Sequence, residues 1–151
     1  MKKKILLGAL ALTLIYSRSF ADGGDRGISE RVKQAFRQEF VNAEVVQWEN
    51  AGQFVKARFR MNDQVLSAYF YPDGEFLAVT RNILSDQLPI HLFTLLKKEY
   101  ARYWITDLFE VSAKGASYYY ITLQCCDNEL VLKSEGGESW EKYMTKRNNI
   151  Y

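Results

Sequence analysis

Histidine is almost missing from this chain, and cysteine and proline are scarce: one His, two Cys and two Pro in 151 residues. Nucleophilic hydrolysis by Ser or Cys needs an adjacent base, most often His, and His91 is the sole candidate. It falls in the first turn of an expected helix, whose positive end disfavours an imidazolium. A surface position suits it better than a catalytic one. No Gly-x-Ser-x-Gly, phosphate loop or dinucleotide fingerprint occurs. The two cysteines, Cys125 and Cys126, are adjacent. Their Cα atoms would lie about 3.8 Å apart, below the roughly 4.4–6.8 Å that a disulfide usually spans. On a strand they point to opposite faces, one buried and one exposed; a vicinal or intermolecular disulfide is the other arrangement open to them. With a lone His they make no zinc set. No cofactor is expected, and no enzyme.

Long apolar runs are also lacking, apart from Ile5 to Tyr16. As a helix that run rises only about 18 Å, short of a hydrocarbon core of roughly 30 Å. Lys2, Lys3 and Lys4 precede it, and Ser19-Phe20-Ala21 follows with small residues at −3 and −1 of a cleavage site. Residues 1–21 therefore read as a signal peptide, residues 22–27 as a flexible segment, and the mature chain as periplasmic or secreted, with no membrane anchor after cleavage. Excess charge of one sign is missing as well. Cleavage removes four of the 20 basic residues and none of the 18 acidic ones, moving the net charge from +2 to about −2. A nucleic-acid footprint needs concentrated positive charge, so no nucleic acid is expected as partner.

Aromatic residues, 15% of the chain, are what it has in quantity. They sit in a pattern that occurs twice. Sliding the sequence by 64 residues puts Val32, Phe36, Phe40 and Val41 on Leu96, Tyr100, Trp104 and Ile105. The same shift puts Phe54, Val55, Ala57 and Phe59 on Tyr118, Tyr119, Ile121 and Leu123, and Asn62-Asp63 on Cys126-Asp127, without a gap. The first copy, residues 28–87, opens with a helix capped by Ser29, with Val32, Ala35, Phe36 and Phe40 forming one apolar stripe. Strands follow at residues 44–49, 53–61, 64–71 and 76–83, turned at Ala51-Gly52, Asn62-Asp63 and Pro72-Asp73-Gly74. The second copy, residues 88–146, starts at Leu88-Pro89, with Pro89 fitting the first helical position. Leu92, Leu95, Leu96 and Tyr100 carry its stripe. Strands are expected at 103–111, 116–124 and 129–134. Residues 139–146 read as a last strand, with a short helix as the alternative, and residues 147–151 as a loose tail. The fold class is α+β: two αβ repeats forming an antiparallel sheet of about eight strands, with two helices packed on one face.

The run from Val32-Lys33-Gln34-Ala35-Phe36 to Phe40-Val41-Asn42-Ala43, then Val46-Gln47-Trp48, Phe70-Tyr71-Pro72-Asp73-Gly74-Glu75 and Leu88-Pro89, carries a resemblance. It is similar to the PepSY-like, beta-lactamase-inhibitor-like family of exported bacterial proteins, common in Bacteroidetes. Val41 stands where that pattern often has Pro, and Pro72 stands inside its hairpin. The similarity covers Ile28 to Lys146, with the second half more diverged. It implies a periplasmic or secreted domain with helices over a curved sheet, and no catalytic residues to carry over. The inhibitor in the name rests on a structural analogy and does not make this chain an inhibitor.

Strand alternation assigns Phe54, Lys56, Arg58, Arg60, Tyr69, Tyr71, Phe76, Tyr118 and Tyr120 to the sheet face away from the helices. Aromatics with Arg are what binding hot spots use; cross-strand pairing on a solvated sheet uses them too. The expected function is a non-enzymatic binding module that recognises a periplasmic protein or peptide through this open aromatic–basic face, in an inhibitory or regulatory role. The alternative is a calcium or small-ligand sensor built on the hairpin carboxylates Asp73, Glu75, Glu135 and Glu138, although these loops lack the acidic ladder of an EF-hand.

Overall fold

The computed structural model describes residues 27–125 and 128–147. The expected signal peptide, residues 22–26, Cys126-Asp127 and residues 148–151 lie outside the described residues. Helix α1 is Glu30–Glu39, followed by β1 Glu44–Ala51, β2 Phe54–Met61, β3 Gln64–Phe70 and β4 Phe76–Asn82. A single 3-10 turn at Ser85–Gln87 leads to α2 Ile90–Glu99, then β5 Trp104–Ala113, β6 Ala116–Cys125, β7 Asn128–Glu135 and β8 Glu141–Arg147. The eight strands form one antiparallel sheet in chain order. Among the described residues, only the link between β4 and β5 carries a helix.

Local chemistry explains the elements. Ser29 Oγ accepts from the Val32 amide at 3.4 Å, as an N-cap does, and donates to the Pro72 carbonyl at 3.3 Å. Its second bond ties the helix start to the β3–β4 loop. Asn62 and Asp63 both sit at positive φ (50° and 60°), the pairing that a two-residue hairpin needs to follow the sheet's twist. Pro89 stands one position earlier than expected, as the cap of α2, and its carbonyl accepts from the Phe93 amide at 3.1 Å. Gly74 and Gly137 close the β3–β4 and β7–β8 loops against the two helix starts. At positive φ, a Cβ on Gly74 would stand 3.2 Å from the Arg31 carbonyl, and one on Gly137 would stand 3.1 Å from Pro89 Cγ.

Two clusters fill the helix-bearing side. Under α1, Phe36 packs against Trp48, Phe59 and Phe40 with ring centroids 5.1–5.5 Å apart, over Val32, Ala57, Ala68 and Phe70. Under α2, Leu88, Leu92 and Leu96 meet Leu108, Ile121, Leu123 and Leu132. Trp140 roofs that second cluster, its indole N–H reaching the Leu92 carbonyl at 3.0 Å. Each fully buried Leu or Phe here contributes about 1.5–3 kcal/mol.

The two helices correspond at a spacing of 60 residues, Glu30–Glu39 to Ile90–Glu99. Val32 and Phe36 thus match Leu92 and Leu96, all buried. The first strand of each half keeps that spacing, Glu44 pairing with Arg60 and Trp104 with Gln124, but Arg60 and Gln124 already stand 64 apart, as do the starts of β3 and β7. The gapless match therefore aligned the second helix four residues out of step, although its start at Leu88-Pro89 was read to within one residue. The four residues are spent in the β5–β6 hairpin, whose strands have ten residues each where β1 and β2 have eight.

Candidate functional site

The helix-free face of the sheet holds its own core. Phe54 from β2, Tyr69 from β3, Leu77 and Ala78 from β4, Phe109 and Val111 from β5 and Tyr120 from β6 bury one another, with Tyr71, Tyr118 and Tyr143 packed around them. Among the described residues, no helix residue belongs to this cluster. A flat sheet would leave such side chains wet on that side. The cluster's members come from strands as far apart as β2 and β6, an arrangement that a sheet curled toward this face allows.

This burial corrects part of the expected open face. Phe54, Tyr69 and Tyr120 are 1%, 2% and 1% exposed and offer no contact surface. Alternation placed them on the right side; packing against Phe109, Tyr71 and Tyr143 encloses them there. Phe76 changes sides outright. An irregularity in the β3–β4 register between Tyr69 and Phe70 turns it toward α1, where its ring lies 5.8 Å from Phe40 and 5.5 Å from Phe70. Leu77 takes the helix-free side in its place.

The remaining expected residues surround the buried aromatics. Arg58 and Arg60 are exposed, and neither forms an ion pair among the described residues. Lys56 is half-buried, its ammonium 3.4 Å from Glu49. Tyr71 packs on Phe54 at 5.6 Å, and Tyr118 lies 5.1 Å beneath the Lys133 ammonium. Lys133 belongs to this face, and no sequence motif had singled it out. Burial pushes the phenols of Tyr71 and Tyr118 up from their ordinary range, helped by Glu75 and Asp73 beside the first and Glu135 beside the second.

Deeper in, burial raises Tyr69 and Tyr120 much further; Glu49 adds to the first, and Tyr143 to the second. Tyr69 is hydrogen-bonded to Thr80. The Tyr120 ring stacks on Phe109 at 5.3 Å and meets Tyr143 edge-on at 5.6 Å, but its hydroxyl has no hydrogen-bond partner among the described residues.

The hairpin carboxylates border this face, Asp73 and Glu75 at Tyr71 and Glu135 at Tyr118. Asp73 Oδ1 accepts from the Glu75 amide at 3.0 Å, an internal bond of its turn. Among the described residues, no group of three or more His, Cys, Asp and Glu is placed to hold a metal ion. His91 is exposed on α2, and Cys125 is half-buried.

On the helix-bearing side, a strip between the two packed clusters carries polar residues that the sequence did not mark. Arg81 on β4 and Glu110 on β5 pair there at 2.8 Å, with Gln64 and Tyr119 bonded to them. They sit 29 residues apart, one in each half of the chain, and each alone looks like an ordinary strand charge.

No family profile matches the sequence, and no curated protein sequence matches it. The fold does have solved counterparts. A BLIP-like protein from Bacteroides fragilis superimposes with a TM-score of 0.69 at 16% identity, over 82% of this chain and 89% of that one. A DUF2874 family protein from Bacteroides ovatus gives 0.70 at 17% identity, over 81% and 89%. A protein from Bacteroides eggerthii, provisionally named as periplasmic, gives 0.68 at 17% identity, over 82% and 91%. At these identities the likeness is one of fold. It matches the inhibitor-like part of the expected resemblance, and none of the three names carries the PepSY part.

Proposed function

We propose that the chain is an exported, non-enzymatic module that binds an acidic stretch of a protein or peptide on the helix-free face of its sheet. The observation that carries this reading is the pair Arg58 and Arg60, exposed and unpaired among the described residues, on a face rimmed by half-exposed Tyr71 and Tyr118. Arg with aromatic neighbours supplies both charge and contact area at low ordering cost. The buried Phe54, Tyr69 and Tyr120 support that surface from beneath and touch no partner. Export to the periplasm is supported by the basic, apolar and small-residue order of residues 1–21 and by the provisional name of the Bacteroides eggerthii protein. Among the described residues, no helix is long and apolar enough to cross a membrane.

The test is quantitative affinity capture from periplasmic extract, comparing the mature protein with Arg58→Glu/Arg60→Glu. Both positions are exposed, so the variant keeps its melting temperature. Loss of one or more retained proteins is the expected result. Identical recovery on the two baits defeats the proposal.

A further inference from the structure

Two helices cannot roof this sheet. Each is about 10 Å wide, and eight strands at about 4.8 Å spacing span well over 30 Å. The uncovered strip between them holds a cavity of about 220 Å³. Its polar lining comes from Gln64, Arg81, Glu110, Ser112 and Ser117, and its apolar part from Leu66 and Val79. At about 30 Å³ per water, the space equals roughly seven waters. That is room for one small polar group with a short side chain.

The hydrogen bonds determine what that group is. Arg81 Nε donates to Glu110 Oε2 at 2.8 Å, and Nη1 donates to Gln64 Oε1 at 3.3 Å. Glu110 Oε1 accepts from the Tyr119 hydroxyl at 3.4 Å. The two carboxylate oxygens and the Gln64 carbonyl are thus engaged. Arg81 Nη2 makes no bond among the described residues, and the guanidinium is 37% exposed while its Glu110 partner is 16% exposed. Ser112 and Ser117 stand directly opposite each other across β5 and β6. Arg81 Nη2 and the two serine hydroxyls are therefore donors the cavity has to spare, beside the second lone pair of each Glu110 oxygen. Its guanidinium is already held in one geometry, so a ligand need not order it.

We propose that this cavity binds a terminal carboxylate carrying a short apolar group, supplied by a small free acid or by the end of a peptide chain. The carboxylate takes the outer edge of Arg81 and the serine hydroxyls, and the apolar group lies on Leu66 and Val79. The site is on the opposite side of the sheet from Arg58 and Arg60, so the two proposals fail independently.

The experiment is a nitrogen-15 NMR titration of the mature protein with N-acetyl-L-alanine, its uncharged carboxamide, and acetyl-Gly-Gly-Gly-Ala with a free C-terminus. The expected result is saturable shifts confined to residues 64–66, 79–81, 110–112 and 117–119 with millimolar acid, and at least tenfold weaker binding of the carboxamide. Arg81→Gln lowers the affinity at least tenfold. Ser117→Val, which leaves the ion pair in place, lowers it less and serves if the first variant does not fold. Tighter binding of the peptide than of the acetyl amino acid identifies a chain end as the source; equal or weaker binding identifies a free acid. Equal shifts from acid and carboxamide, affinities unchanged in both variants, or no shifts from any probe overturn the proposal.

Discussion

Tyr120 and Tyr69 give the helix-free core a test in which one atom decides the sign. Both rings are sealed in the same cluster, but the Tyr69 hydroxyl has Thr80 as partner and the Tyr120 hydroxyl has none among the described residues. A buried hydroxyl without a partner costs about 1–3 kcal/mol. Tyr120→Phe removes that cost and keeps the ring on Phe109 and Tyr143. The small void left by the oxygen returns a fraction of the gain, so the net stabilisation is about 1 kcal/mol. Tyr69→Phe deletes a satisfied bond instead, a loss of about 1 kcal/mol. Thr80 retains its contact to the Ser67 carbonyl at 3.5 Å, which limits the damage. The same chemical change at two positions on one face should therefore differ by about 2 kcal/mol. Urea unfolding at neutral pH reads this as midpoints moving in opposite directions with an unchanged slope. The melting temperature should move by about 3–6 °C per kcal/mol. Equal destabilisation by both variants would refute the reasoning, because Tyr120 would then have a partner in solution.

The same burial makes stability depend on alkaline pH. Both phenols keep their protons above 10.0, where the unfolded chain releases them, so stability is complete below about pH 10 and falls as pH rises beyond it. Phenolate absorbance followed alongside circular dichroism should show two late-titrating tyrosines whose ionisation coincides with unfolding. Gly74→Ala should cost about 2 kcal/mol or more, because it combines positive φ with a contact of 3.2 Å to Arg31, and Gly52→Ala about 1, because nothing lies within 4 Å of its Cβ; thermal melts separate the two. Leu92→Ala should cost about 2–5 kcal/mol, and Ile90→Ala, on the exposed side of the same helix, less than about 0.5. If Ile90 proves the costlier, the assignment of the α2 stripe is wrong.

Much of the fold was legible because each local signal agreed with its neighbours. Ser29 announced α1, Asn62-Asp63 and Pro72-Asp73-Gly74 fixed two hairpins, and the alternation of Val55, Ala57 and Phe59 placed the helix-bearing face. Phe76 was missed because one register irregularity reverses the parity of everything beyond it. Arg81 and Glu110 were missed for another reason. Their contact exists only because β4 and β5 pair across a helical link, and nothing local in either strand foretells that pairing.

The misaligned match between the two helices and the misjudged aromatic face share one physical cause. A periodic pattern reports direction, not distance. Moving a helix by four residues rotates its stripe by about one turn, so Leu96 can take the place of Leu92 in a sequence match without disturbing the period of 3.6. In the same way, Tyr69 and Tyr120 point away from the helices whether the sheet is flat or curled. Only curvature decides whether they meet solvent or each other, and curvature arises from twist accumulated over many strands. Three aromatic residues that looked like contact residues, Phe54, Tyr69 and Tyr120, are buried in the cluster on that face. The arginines that share their face stay outside, because long charged side chains keep their heads in water while their stems lie along the surface. On this face, then, the arginines and the rim tyrosines Tyr71 and Tyr118 mark the accessible surface, and Phe54, Tyr69 and Tyr120 mark the core beneath it.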